Sequence, residues 1–172
     1  MKTVVLKFGG TSVGSIDRIK EVANIICSYK KKNIGVIVVS SAMSGSTNDL
    51  VKKTKELSDN FDHAEYDVLL SSGEQVACSL IAGRLKHLGY KARSWMSWQI
   101  PIITDGPYSA SRIIKINKNK ILNFIKAGGI PIITGFQGIN LDNRITTLGR
   151  GGTDATAIML AKFFNASECD IY

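Results

Sequence analysis

Histidine and cysteine are scarce: the chain holds two of the former and three of the latter. His63 and His87 stand alone, with neither H-E-x-x-H nor H-x-C spacing, so a transition metal held by the protein is not expected. Cys27, Cys78 and Cys169 are far apart, odd in number and set in apolar periodic segments. That pattern argues against a disulfide framework and reads as reduced, buried thiols. No apolar run approaches the roughly 20 residues that a bilayer span requires. Met1-Lys2 leads straight into a strand, without the charged leader and apolar core of a secretory signal. The expected setting is cytoplasmic, with no membrane partner.

Acidic residues are outnumbered, 14 against 22 lysines and arginines, which gives a net charge of +8. Lys30, Lys31 and Lys32 end one predicted helix, where cations suit the helix dipole. Lys52, Lys53 and Lys55 fall on the exposed side of another. No aromatic residues interleave with these lysines, so the charge reads as a solvated face or a general attraction for anionic substrates rather than a nucleic-acid surface. With 172 residues, 44% hydrophobic and 21% charged, the chain has the make-up of one domain with a sizeable core.

Periodicity predicts alternating strands and helices. Residues 3–8 and 34–39 ("IGVIVV") read as strands, the second a continuous apolar run of the kind buried on both faces of a parallel sheet. Between them Ile16, Ile19, Val22, Ala23 and Ile26 recur at helical spacing behind a Ser15 cap. Further helices are predicted around 49–57 and over 73–88, 118–126 and 154–164. Short strands fit 91–94, 102–104 and 130–134, the last with Pro131 suited to a strand's first residues. The closing "CDIY" begins one more. The pattern is that of an open α/β sandwich, with no internal repeat or low-complexity linker.

Ligands in open parallel sheets bind beyond the carboxyl ends of the strands. Three loops belong there: "KFGGTSVG" (7–14), "SSAMSGSTN" (40–48) and "TTLGRGGTDATA" (146–157). Each joins small residues, which let backbone N–H groups approach an anion, to hydroxyls that can donate to it. Two open helices, whose N-termini add positive potential, and Lys7 and Arg150 supply full charges. Taken singly, each loop reads equally well as a structural turn; together they point to phosphate or carboxylate binding. Known glycine motifs do not match. Gly9 and Gly14 have Walker A spacing but Ser15 replaces the lysine, and Asp154 stands where a dinucleotide fingerprint after Gly149 and Gly151 needs glycine. Glu74 and Asp154 fall at predicted helix starts. There an acid serves either as a cap and dipole feature or as a contact to a ligand's ammonium or a neighbouring lysine.

The segments "KFGGTSVGS", "VVSSAMSGSTN", "LLSSGEQVA", "ITDGP", "GFQGI" and "TTLGRGGTDATA" run in order through the chain and closely resemble the catalytic domain of aspartokinases, in the amino acid kinase superfamily. The resemblance covers residues 2–172. It implies a three-layer α/β/α sandwich with a mainly parallel sheet, residues 1–172 forming the N-terminal, aspartate- and phosphate-binding portion of the domain. It implies transfer of the γ-phosphoryl of ATP, with Mg2+ held mainly through the nucleotide phosphates, to the side-chain carboxylate of L-aspartate. That is the entry step to lysine, threonine and methionine synthesis. By match, Lys7, Phe8, Gly9, Gly10 and Ser41 would serve the ATP phosphates, while Thr47, Glu74, Arg150, Gly151, Gly152 and Thr153 would hold aspartate. Glu74 would take its ammonium, Arg150 its α-carboxylate, and Asp154 would help place Lys7.

Two departures accompany the resemblance. Thr153 stands where the family usually has serine. The family also continues past "CDIY" into a segment like "TDVDGVYT", the rest of the nucleotide lobe and regulatory domains. The expectation is therefore a kinase domain truncated at its C-terminus. Such a chain would show weak or no activity alone, unless a homo-oligomer or a second, complementing polypeptide completes it.

Overall fold

Val4, Val5 and Leu6 of β1 (Thr3–Phe8) are fully buried, and so is every residue of β2 (Gly35–Ser40). Strands shielded on both faces need helices on both sides, and the structure, a computed structural model describing residues 2–32 and 34–172, supplies them. Met1, which the leader reading touches, and Asn33 lie outside the described residues.

The chain runs through α1 (Ile16–Lys31), α2 (Ser46–Leu57), α3 (His63–His87), β3 (Ala92–Trp95), β4 (Ile102–Thr104) and β5 (Ile113–Ile116). It continues through α4 (Asn119–Lys126), β6 (Ile130–Thr134), β7 (Gln137–Ile139), β8 (Ile145–Thr147), α5 (Gly152–Phe164) and β9 (Glu168–Ile171). The main sheet has the order β3-β6-β2-β1-β9, every neighbouring pair parallel. A second, four-stranded sheet of order β5-β4-β7-β8 mixes both directions.

Strand pleating divides the core. Val4, Leu6, Phe8, Val36 and Val38 pack with α1 and α3 in one cluster; Val5, Ile37, Val39 and Ile133 pack with α4, α5 and β4 in the other. The period of two therefore turns Lys7, the residue after Leu6, toward α5, and Phe8 toward α1 and α3. Pro131 is the second residue of β6, among that strand's first residues as expected. It is tolerated because β2 pairs with β6 only from Ile132 onward, so the missing N–H falls before that ladder begins.

Ser15 caps α1 as expected, accepting from the Arg18 amide at 3.2 Å. The helix expected over 73–88 is instead the 25-residue α3, capped by Asp62 on the Glu65 amide. "SSG" reads as a break in sequence, yet Ser71 and Ser72 donate back to the Val68 and Leu69 carbonyls, both at 2.7 Å, and stay helical. Strands β5, β7 and β8 were not expected from periodicity, being three or four residues each. Ile37 sits at the centre of the main sheet with no exposure. Ile37→Ala should cost about 2–5 kcal/mol, seen as a lower urea midpoint with an unchanged slope.

Candidate active site

Parallel strands deliver their exit loops to one edge, and here those loops are laced together. The Ser41 amide donates to the Phe8 carbonyl at 3.0 Å, Ser44 to Gly10 at 3.1 Å, and Gly135, leaving β6, to Ser40 at 3.0 Å. The β7–β8 hairpin carries the third loop to the same place, where Leu148 donates to the Phe136 carbonyl at 2.9 Å. The result is one cavity of about 360 Å3 lined by all three loops.

Lys7, Gly10, Ser41, Thr47, Glu74, Arg150, Gly151, Gly152, Thr153 and Asp154 all line it. Phe8 and Gly9 do not. Phe8 is fully buried on the α1/α3 face and stacks on Tyr172, centroids 5.0 Å apart. The Gly9 amide donates to the Tyr172 carbonyl at 2.9 Å. The alternation that aims Lys7 at the cavity necessarily aims Phe8 away from it, and the Gly9 amide is already engaged. Among the expected phosphate-side residues, Phe8 and Gly9 thus stand behind the cavity lining, and Gly9 clears space there, since a Cβ on it would lie 3.1 Å from Lys7 Nζ.

Lys7 Nζ pairs with Asp154 Oδ1 at 2.8 Å, with the lysine side chain only 11% exposed. Asp154 stands in the first turn of α5, so its carboxylate also suits that helix N-terminus. The pair means that the cavity is not uniformly positive. Arg150, exposed at the rim, has no ion-pair partner among the described residues and is the unbalanced cation.

Glu74 lies in the middle of α3, not at a helix start, which removes the capping explanation. It is 3% exposed; Oε1 accepts from the Ala42 amide at 3.0 Å, and Oε2 is buried without a partner among the described residues. The helix comes this close to the β2 exit because residue 73 is glycine: a Cβ there would meet the Ala42 Cβ at 2.7 Å. Burial raises the Glu74 carboxyl to about 7, against the opposing effect of the Ala42 amide.

The 149–153 turn needs glycine for two reasons. Gly149 and Gly151 have φ of +72° and +71°, and a Cβ on Gly152 would press on Phe136 and Leu148 at 2.8 and 2.9 Å. Thr153, with its additional methyl, is 9% exposed and fits because Gly135 opposite lacks a side chain. Met43, Ser44, Gly45, Asn48 and Phe136 also line the cavity but were not singled out in sequence. Phe136 has a left-handed φ of +67° and is held through its amide on Thr156 Oγ1 at 3.1 Å. No spacing rule marks that residue.

Because Glu74 is harder to ionise folded than unfolded, its ionisation opposes folding. The penalty is absent below its unfolded value of 4.5 and grows as pH rises toward about 7. Glu74→Gln should thus gain stability over the wild type between pH 5 and 8, by on the order of 3 kcal/mol at most, with the two converging near pH 4. Urea denaturation across that range checks this; parallel curves would refute the buried-carboxylate account.

The comparisons agree with the fold and the motifs. The sequence model of the amino acid kinase family matches residues 2–172. An aspartokinase of Rickettsia conorii is 50% identical over 175 residues, covering all of this chain and 44% of the relative. An aspartokinase of Geobacillus stearothermophilus is 46% identical over 172 residues, covering all of this chain and 42% of the relative. This chain thus spans less than half the length of these curated relatives. Among solved structures, the aspartate kinase of Synechocystis superposes with a TM-score of 0.84 at 38% identity, over 98% of this chain and 28% of that one. E. coli aspartokinase III in complex with aspartate and ADP gives 0.86 at 25% identity, over 99% of this chain and 49% of that one. The chain belongs to the amino acid kinase family.

Proposed function

We propose that the cavity binds L-aspartate beside the terminal phosphate of ATP, and that the chain carries the acceptor half of an aspartate kinase forming 4-phospho-L-aspartate. The observation that carries this reading is the meeting of Lys7, Arg150 and the unpartnered Glu74 Oε2 around one cavity sized for a small molecule. The E. coli relative crystallised with aspartate and ADP supports the choice of ligands.

The residues suit the chemistry. A carboxylate is already a nucleophile, so no base is required; one of its oxygens forms the new bond to phosphorus as the bond from the γ-phosphorus to the bridging oxygen breaks and ADP leaves. The obstacle is bringing two anions together, which positioning and fixed charge overcome. Arg150 would grip the α-carboxylate with a two-pronged fork, and Glu74 Oε2 would accept from the ammonium. Thr47 and Thr153, which line the cavity, would donate to carboxylate oxygens. Lys7, steered by Asp154, would meet charge on the transferring group, aided by the α2 and α5 N-termini at Gly45 and Gly151. Mg2+ would arrive on the nucleotide phosphates and supply further charge neutralisation. Asp154 is engaged by Lys7 and Glu74 Oε1 by the Ala42 amide, and the described residues contain no group of three metal-ligating side chains.

The wider reading is a cytoplasmic enzyme of lysine, threonine and methionine synthesis, in keeping with three free cysteines. A second reading is a partner-dependent subunit that binds the acceptor without turnover, since the cavity gathers the residues suited to the acceptor. A coupled ADP-release assay with aspartate, glutamate or no acceptor, alongside calorimetry with aspartate, separates them. Aspartate-dependent release supports the kinase, binding without release supports the subunit, and no binding contradicts both. In the form that turns over, Lys7→Ala should lose about 10²–10³ in rate. Arg150→Lys should instead raise the aspartate KM by about tenfold or more by losing the fork, with a smaller effect on turnover.

A further inference from the structure

Asp67 is a fully buried carboxylate that the proposed chemistry does not use. It stands seven residues before Glu74 on α3, two helical turns away and so on the same side of the helix. Each of its oxygens accepts two hydrogen bonds. Oδ2 takes the Thr147 amide at 2.7 Å and the Ser109 amide at 2.9 Å, while Oδ1 takes the Thr147 hydroxyl at 2.9 Å and the Ser109 hydroxyl at 2.8 Å.

Those donors come from two segments, and α3 also reaches the approach to β8 through Glu65, whose Oε1 accepts from Arg144 at 2.6 Å. Thr147 ends β8, and Arg150 follows three residues later. Ser109 lies in the turn before β5 with a left-handed φ of +60°. Its carbonyl backs directly on the turn beside Arg150, since a Cβ on Gly149 would lie 3.0 Å from it. Ser111 joins the same segments through its amide to the Thr147 carbonyl at 3.0 Å. One carboxylate therefore anchors both the root and the backing of the loop that presents Arg150. Glu74 anchors the β2 exit loop in the same manner, through the Ala42 amide.

We propose that Asp67 is a positioning residue for the acceptor subsite: by clamping Thr147 and Ser109 it fixes the 148–153 loop and so sets where Arg150 meets the substrate's carboxylate. The role of Arg150 rests on the reading given under Proposed function; the clamp on the loop does not. Loss of the carboxylate leaves two buried amides without acceptors and frees the loop at its root. A displacement of about 1 Å in such a supporting element can cost about 10² in binding or rate.

Asp67→Ala in the full chain should accelerate hydrogen exchange at amides 148–153 at least tenfold, leave amides 35–40 of β2 at wild-type rates, and weaken L-aspartate binding about 10²-fold by calorimetry. Asp67→Asn should restore most of both. Its carbonyl can serve the two amides and its NH2 can donate to the two hydroxyls, which accept as well as donate. If the alanine variant fails to fold, Thr147→Val, which removes one hydroxyl donor, should move both readouts in the same direction by several-fold, and Thr147→Ser should match the wild type. Unchanged loop exchange and aspartate affinity in these variants, or acceleration spread evenly over the chain, overturns the proposal. If the wild type itself binds no aspartate, the acceptor reading fails. The exchange measurement then still decides the clamp, supporting it when acceleration is confined to the loop and overturning it when it is not.

Discussion

Parallel register between β1 and β2 is the constraint from which the site follows. With Lys7 opposite Val39 and Phe8 opposite Ser40, both strands end at the same level, and their exit loops cannot avoid each other. The backbone settles this meeting by hydrogen-bonding loop to loop, through Ser41 to Phe8 and Ser44 to Gly10. The pleat then decides which side chains enter the space: Lys7 faces α5 and finds Asp154, while Phe8 turns into the opposite core. A slip of one residue in β1 would exchange them and place an aromatic ring where the cation stands.

The second element of the design is α3, which crosses behind the cavity as a rigid rail. Two of its carboxylates leave the helix to satisfy backbone amides elsewhere, Glu74 at Ala42 and Asp67 at Thr147 and Ser109. They differ in completeness. Asp67 has both oxygens saturated, whereas Glu74 keeps Oε2 buried and unpartnered. An unsatisfied buried carboxylate oxygen destabilises the empty protein. Under the proposed reading, a substrate ammonium would pair with that oxygen and remove the penalty.

The main sheet and the three loops were legible because each signal is local. An unbroken β-branched run in residues 34–39, helical spacing from Ile16 to Ile26 and the paired small residues of each loop need no tertiary information. Of the second sheet only β4 was legible, because β7 and β8 owe their pairing to the hairpin rather than to periodicity. The start of α3 was hidden by "SSG", whose serines satisfy themselves within the helix and whose glycine answers a tertiary contact with Ala42. Asp67 shows the same limit: a lone acid four residues before a serine pair carries no motif, and its function exists only once Thr147 and Ser109 have been folded onto it.

The central claim is that loops distant in sequence act as a single acceptor site. The most direct measurement is an amide chemical-shift titration of the isotopically labelled chain with L-aspartate. The account predicts that the Ala42, Thr47 and 151–153 amides shift together along one saturation curve, leaving the β3 edge unperturbed. Shifts confined to one loop, or curves with different midpoints for different loops, would contradict it.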